Sequence, residues 1–276
     1  QTLSQTDIAS FFQKTDGPTK VEFLLMLRDQ HPAEVDDLLR TALKDNDPSV
    51  RLVTIQWIGD KNLQAFRGDI EQLLAQPFPW TRSLFESTLA SLDLLDKHWA
   101  RADAGSQFIA RLLDRGDLDP VLFRFALRSL PATHPWLTAD RFRTLAHGDD
   151  PAIAIEAVRS LRESSLTGRD ALLTELAGNT DLPSTIRAEA ILGLQTLPSD
   201  NTLGVLLVDL SQETDSIVSA TALKVIQRGT VPFRQERTVE QVSALLDTPG
   251  DRATGERLFF DPAGPGCYRC HQVEGR

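Results

Sequence analysis

Apolar residues recur along this chain three and four positions apart, in runs that open directly after a turn rich in Asp and Pro. The runs lie at 45–59, 76–92, 116–130, 148–161, 180–197 and 213–226. Ile153, Ala157, Val158 and Leu161 share one face of a helix, as do Ile186, Ala190, Ile191 and Leu194. Pro48, Pro79, Pro120, Pro151, Pro183 and Ser216 mark the six starts, 31, 41, 31, 32 and 33 residues apart. Asp, Asn or Ser ahead of a run can accept from the orphan amides of a first helical turn. Proline at the first helical position sacrifices no helix hydrogen bond.

A second helix is predicted before each mark, at about 33–44, 67–75, 104–114, 138–146, 167–177 and 200–211. Six helical hairpins result, preceded by a leading segment over 1–32 with one helix near 19–29. A lone hairpin leaves its apolar stripe open to water, so hairpins repeated at this period are expected to stack on a shared core. The pattern breaks after Gly229. Residues 230–249 read as a cap and linker, and 250–276 as the start of a separate domain.

Composition narrows the function classes. The chain has 276 residues, 41% of them hydrophobic and 25% charged, which suits a folded protein, and a formal net charge of −10. That balance disfavours nucleic acid and anionic membrane surfaces, which both need concentrated Lys and Arg. No apolar run is long enough for a membrane helix. Gln1 stands where an initiator Met would, with no basic and apolar leader behind it, so the chain reads as a piece of a longer protein. No glycine-rich phosphate loop, G-x-S-x-G or H-E-x-x-H occurs, and no catalytic set is assigned.

Chemistry concentrates at the end of the sequence, in "GPGCYRCHQVEGR". Cys267 and Cys270 are the only two cysteines, and His271 follows at once. Cys-x-x-Cys-His is the attachment pattern of c-type haem: two thiols at this spacing reach the two porphyrin vinyl groups, and the adjacent imidazole reaches the iron. A structural zinc site is an alternative, but it wants a fourth ligand and no second Cys pair supplies one. A thioredoxin-like pair would want a preceding strand and a helix opening at the first Cys, whereas "DPAGPG" precedes the box. Two thiols without function are the plain reading.

"DPSVR", with Arg51 just inside its helix, resembles HEAT repeats, a likeness covering about 33–229. Arg82, Arg124 and Arg187 occupy comparable places. The fourth hairpin has Ala154, Ile155 and Glu156 there, and the sixth lacks the proline, so a regular side-chain ladder is not expected at those two. "GDRATGERLFF" followed by "CYRCHQVEG" resembles the opening of a class I cytochrome c, with Gly255 and Phe259 at helix-packing positions and Val273 and Gly275 after the box. Together the two parts resemble the planctomycete-type haem-binding C-terminal domain.

That resemblance implies an all-α fold: an α-solenoid of HEAT-like hairpins followed by the N-terminal fragment of a class I cytochrome c domain. It implies covalent haem c on Cys267 and Cys270, His271 as proximal iron ligand, and periplasmic or secreted electron transfer from a dehydrogenase domain or partner. The distal ligand and most of the haem pocket are expected beyond Arg276, since the one methionine, Met26, reads as core. The alternative class is a protein-interaction scaffold whose solenoid binds a peptide or domain. His31, His98, His134 and His147 read as surface or turn residues, Trp57, Trp80, Trp99 and Trp136 as core, and Asp149 and Asp150 as helix caps.

Overall fold

The structure is a computed structural model that describes residues 5–30, 35–97, 103–194 and 201–230, with 250–252, 255 and 259 of the remainder. The chain divides into two compact units, Gln1–Gly229 and Thr230–Arg276. Among the described residues, all regular structure is helical. The first unit opens with α1 (Gln5–Lys14) and α2 (Gly17–Gln30). Pairs follow: α3 (Asp36–Ala42) with α4 (Pro48–Asp60), α5 (Arg67–Leu73) with α6 (Arg82–Leu95), and α7 (Ala104–Leu113) with α8 (Pro120–Ser129). Next come α9 (Ala139–Ala146) with α10 (Pro151–Glu163), α11 (Arg169–Gly178) with α12 (Ser184–Gly193), and α13 (Asn201–Ser211) followed by α14 (Ser216–Thr230).

Capping chemistry sets where the second helix of each pair begins. Asp47, Asp119 and Asp150 each precede a proline at the first helical position, and each side chain accepts from an amide of the first turn, at 2.8 Å for Ser49, Val121 and Ala152. Asp215 does the same for α14 through the amides of Ile217 and Val218. Two starts differ from the expectation. At the second mark the helix opens three residues after Pro79, because Thr81 is extended and its hydroxyl accepts from Leu84 N. At the fifth, Pro183 occupies the cap itself, and its carbonyl takes Ile186 N and Arg187 N.

The leading segment holds two helices rather than one. α1, which the short run "IASFF" signals only weakly, puts Phe12 in the core. Met26, read from sequence as core, is 42% exposed. α2 turns Leu24 and Leu27 inward, and Met26, about 100° around the helix from Leu27 and about 160° from Leu24, faces out.

From α2 to α12 each second helix packs on the next: α2 on α4, α4 on α6, α6 on α8, α8 on α10, and α10 on α12. Each also packs on its own first helix, as α7 does on α8, α9 on α10 and α11 on α12. The core therefore runs through the unit without a gap. In α4, flanked by α2, α3 and α6, Val50, Ile55, Trp57 and Ile58 have no exposed surface at all. Burying a side chain of this kind contributes roughly 1.5–3 kcal/mol, and neighbouring helices supply the surface that does it. No described helix is long and apolar enough to cross a membrane.

Candidate functional site

Cys267, Cys270 and His271 lie outside the described residues. Of their upstream flank, Arg252, Gly255 and Phe259 are helical, Gly255 N donates to Asp251 O at 2.9 Å, and Phe259 is half-buried. Among the described residues, no cluster of three His, Cys, Asp or Glu is arranged to hold a metal ion.

The other sequence candidates have structural partners. His134 Nδ1 accepts from Trp136 N at 3.1 Å inside a turn. His147 ends α9, with Nδ1 2.8 Å from Arg143 O and Nε2 3.1 Å from Asn179 Nδ2. His31 and His98 lie outside the described residues, as does Trp99. Trp57, Trp80 and Trp136 are buried. Asp150 caps α10 through Ala152 N and Ile153 N, while Asp149 is exposed beside it.

An open cleft of about 720 Å³ lies beside α3. Its three cations are largely engaged with carboxylates. Lys20 sits 2.7 Å from Asp45, and Arg40 lies 3.9 Å from Asp37 and 3.7 Å from Asp69, over the ring of Phe66. Lys44 is exposed at the rim. Counting Asp69, the three cations face three carboxylates, so the formal charges around the cleft balance.

The charged side chains that do converge form a ladder between neighbouring second helices. Arg128 of α8 donates to Glu156 of α10 at 3.2 and 3.0 Å. Arg159 and Arg162 of α10 donate to Glu189 of α12, at 2.9 and 2.6 Å and at 2.7 Å. The Glu156 and Glu189 side chains are only 3% and 8% exposed, so each carboxylate depends on its guanidinium partner. Glu156 is one of the residues by which the fourth hairpin departs from the sequence repeat. Its place is filled by pairing backward to Arg128, a partner 28 residues away that local pattern does not reveal.

The four equivalent arginines behave differently. Arg51 and Arg187 are both buried, and each donates through Nε to a carbonyl at or just after the end of the preceding helix, Asp45 O in the turn after α3 at 2.6 Å and Ala177 O of α11 at 2.9 Å. Arg187 then holds Glu213 through two bonds, whereas Arg51 lies over Phe78. Burial holds the Arg51 guanidinium below its ordinary pKa, partly offset by the Asp45 charge. Arg82 donates to Glu86 in its own helix at 2.7 Å. Arg124 Nε is buried without a hydrogen bond.

Displaced carboxyl groups have structural causes as well. Hydrogen bonds from Arg141 and then Trp136 hold Asp114 below the usual range. Arg143 does so for Glu175, and Ser184 followed by Val218 N for Asp215. Through these bonds Asp114 joins α9, Glu175 joins α9 and Asp215 joins the start of α12, so they brace helices. Compared with known protein families, with characterised proteins and with solved structures, the chain matches none.

Proposed function

We propose that this chain is a c-type haem-bearing electron-transfer segment carried on a HEAT-like α-solenoid. The observation that carries the reading is the Cys267–Cys270–His271 box in a chain with no other cysteine. The donor set fits haem c. Cys267 and Cys270 would hold the group through two thioethers, and His271 would supply a neutral imidazole to its iron. When bound, haem c supplies one-electron transfer at its iron, and no other redox group is implied.

The rest of the chain acts as a mount. Five consecutive packings among second helices, at a spacing near 32 residues, support the solenoid reading, and the Gly255 N to Asp251 O hydrogen bond supports a cytochrome-like opening. In this reading the mount sets the haem segment against a dehydrogenase domain or partner that donates the electron, in a periplasmic or secreted setting. A protein-interaction scaffold is the second reading. It is favoured by the helix stack together with the structural roles of the titratable groups described above.

The test uses the full-length protein produced in a host with c-type haem maturation. Haem should survive acid and organic extraction, and Cys267→Ala with Cys270→Ala should abolish its retention. Extractable haem, or none, from the unaltered protein would overturn the electron-transfer reading and leave the scaffold.

A further inference from the structure

Polar contacts across the seams between second helices recur at fixed places counted from each helix cap, and they run one way. The residue nine past a cap reaches the residue six past the cap of the next second helix: Gln56 of α4 donates to Ser87 of α6 at 3.4 Å, Arg128 of α8 to Glu156 of α10, and Arg159 of α10 to Glu189 of α12. In all three the donor belongs to the earlier helix and the acceptor to the later one. The same packing shuts neighbouring positions off from water. In α4, α8, α10 and α12 the residue eight past the cap is buried, as Val158 is, and ten past the cap Trp57, Ser91 and Ser160 are buried.

The first and the last described second helices each carry half of such a seam. Asp16 caps α2, its side chain accepting from Thr19 N at 3.0 Å, and Glu22 lies six past it, the acceptor place of Glu156 and Glu189. Glu22 is exposed, and so is Met26, ten past the cap and one turn along the same face. Asp215 caps α14, and Lys224 lies nine past it, the donor place of Arg128 and Arg159. Lys224 is exposed, and Leu223, eight past the cap, is 46% exposed. Among the described residues, neither Glu22 nor Lys224 has an ion-pair partner.

We propose that copies of this chain join head to tail, with α14 of one docked on α2 of the next as in an internal seam: Lys224 reaches Glu22 of the second copy, and Leu223 packs beside its Met26. Each face carries what the other lacks, an acid beside an open apolar residue on α2 and a cation beside an open apolar residue on α14. Pairing either face with itself would set Glu22 on Glu22 or Lys224 on Lys224, so the second copy must offer its opposite face. Such a contact is heterologous and passes from copy to copy. The inference does not depend on haem.

Sedimentation velocity of the 276-residue chain tests it, in reductant so that Cys267 and Cys270 cannot cross-link copies. Mass should rise with concentration and pass that of a dimer. Met26→Asp and Leu223→Asp each alter one exposed position on one face, and either alone should weaken association at least about tenfold and leave monomer. Mixed one to one, the intact α14 face of the first variant should bind the intact α2 face of the second, giving a dimer that grows no further. An unaltered chain that stays monomeric, a single variant that still self-associates, or a mixture that stays monomeric would overturn the proposal. Lys224→Glu should also weaken assembly, and adding Glu22→Lys to the same chain should restore it; without that recovery the Lys224 to Glu22 pairing is wrong.

Discussion

Arg51 lies over Phe78, its guanidinium carbon 3.5 Å from the ring centroid, in the place where Arg187 grips Glu213 through bonds of 2.9 and 2.6 Å. Both arginines send Nε to a backbone carbonyl at or just after the end of the preceding helix. One helix position thus takes either an aromatic or a carboxylate from the following pair. The two partners lie 27 and 26 residues downstream, almost the same offset.

Arg187→Gln should cost about 3 kcal/mol of unfolding free energy, because it strips Ala177 O and Glu213 at once from a buried site. Glu213→Gln should cost only about 1 kcal/mol, since that side chain is 31% exposed and the amide oxygen still accepts. Chemical denaturation of the two variants measures both. Equal costs would contradict the asymmetry of burial.

Gly59→Ala should destabilise by about 1–3 kcal/mol, since its methyl would overlap Ser91 at a seam with no room to give. Ser91→Gly in the same chain should recover much of that loss. Gly68→Ala serves as a control: the site is helical, exposed and open around the added carbon, so about 0.5–1 kcal/mol of stabilisation is expected.

Acid should weaken the first unit through Asp114 and Glu175. Hydrogen bonds from Arg141 and Arg143 respectively lower their pKa values in the folded state, below the ordinary 3.8 and 4.5. The unfolded chain then binds more protons over that range. The stability these pairs add is present above the ordinary values and is lost as pH falls through the lower folded values. Both side chains are about half exposed, so the effect is small and should shrink further in high salt. Thermal melts from pH 7 down to pH 2 should show Asp114→Asn with a shallower acid limb than the unaltered chain. A steeper limb would reverse the sign of the argument.

In the haem-loaded full-length protein, His271→Ala should leave acid-stable haem in place, because the thioethers reside on Cys267 and Cys270. The absorption spectrum should shift as the iron loses its imidazole ligand. A spectrum identical to that of the unaltered protein would remove His271 from the ligand set.

Local chemistry made the helices readable in advance. Asp47 before Pro48, Asp119 before Pro120, Asp150 before Pro151 and Asp215 before Ser216 act within three residues, so the cap and its helix are written in one short stretch. Where two devices competed, as at Pro79 and Thr81, the hydroxyl that reached Leu84 N decided the start. The Cys267–Cys270–His271 box was equally plain as a pattern, since its chemistry resides in five consecutive residues.

What the tertiary structure alone decided are relationships between residues about 26–40 positions apart. Arg51 and Arg187 occupy the same sequence slot, yet packing hands one a ring and the other a carboxylate. Glu156, which looks like an interruption of the repeat, becomes a ladder member once Arg128 arrives from the neighbouring helix. Gly59 beside Ser91, and Phe85 beside Phe125, set how closely two helices approach. Caps are contacts within a turn, so sequence specifies them directly. The seams depend on side-chain volume and direction summed over two helices, which only the folded arrangement brings together.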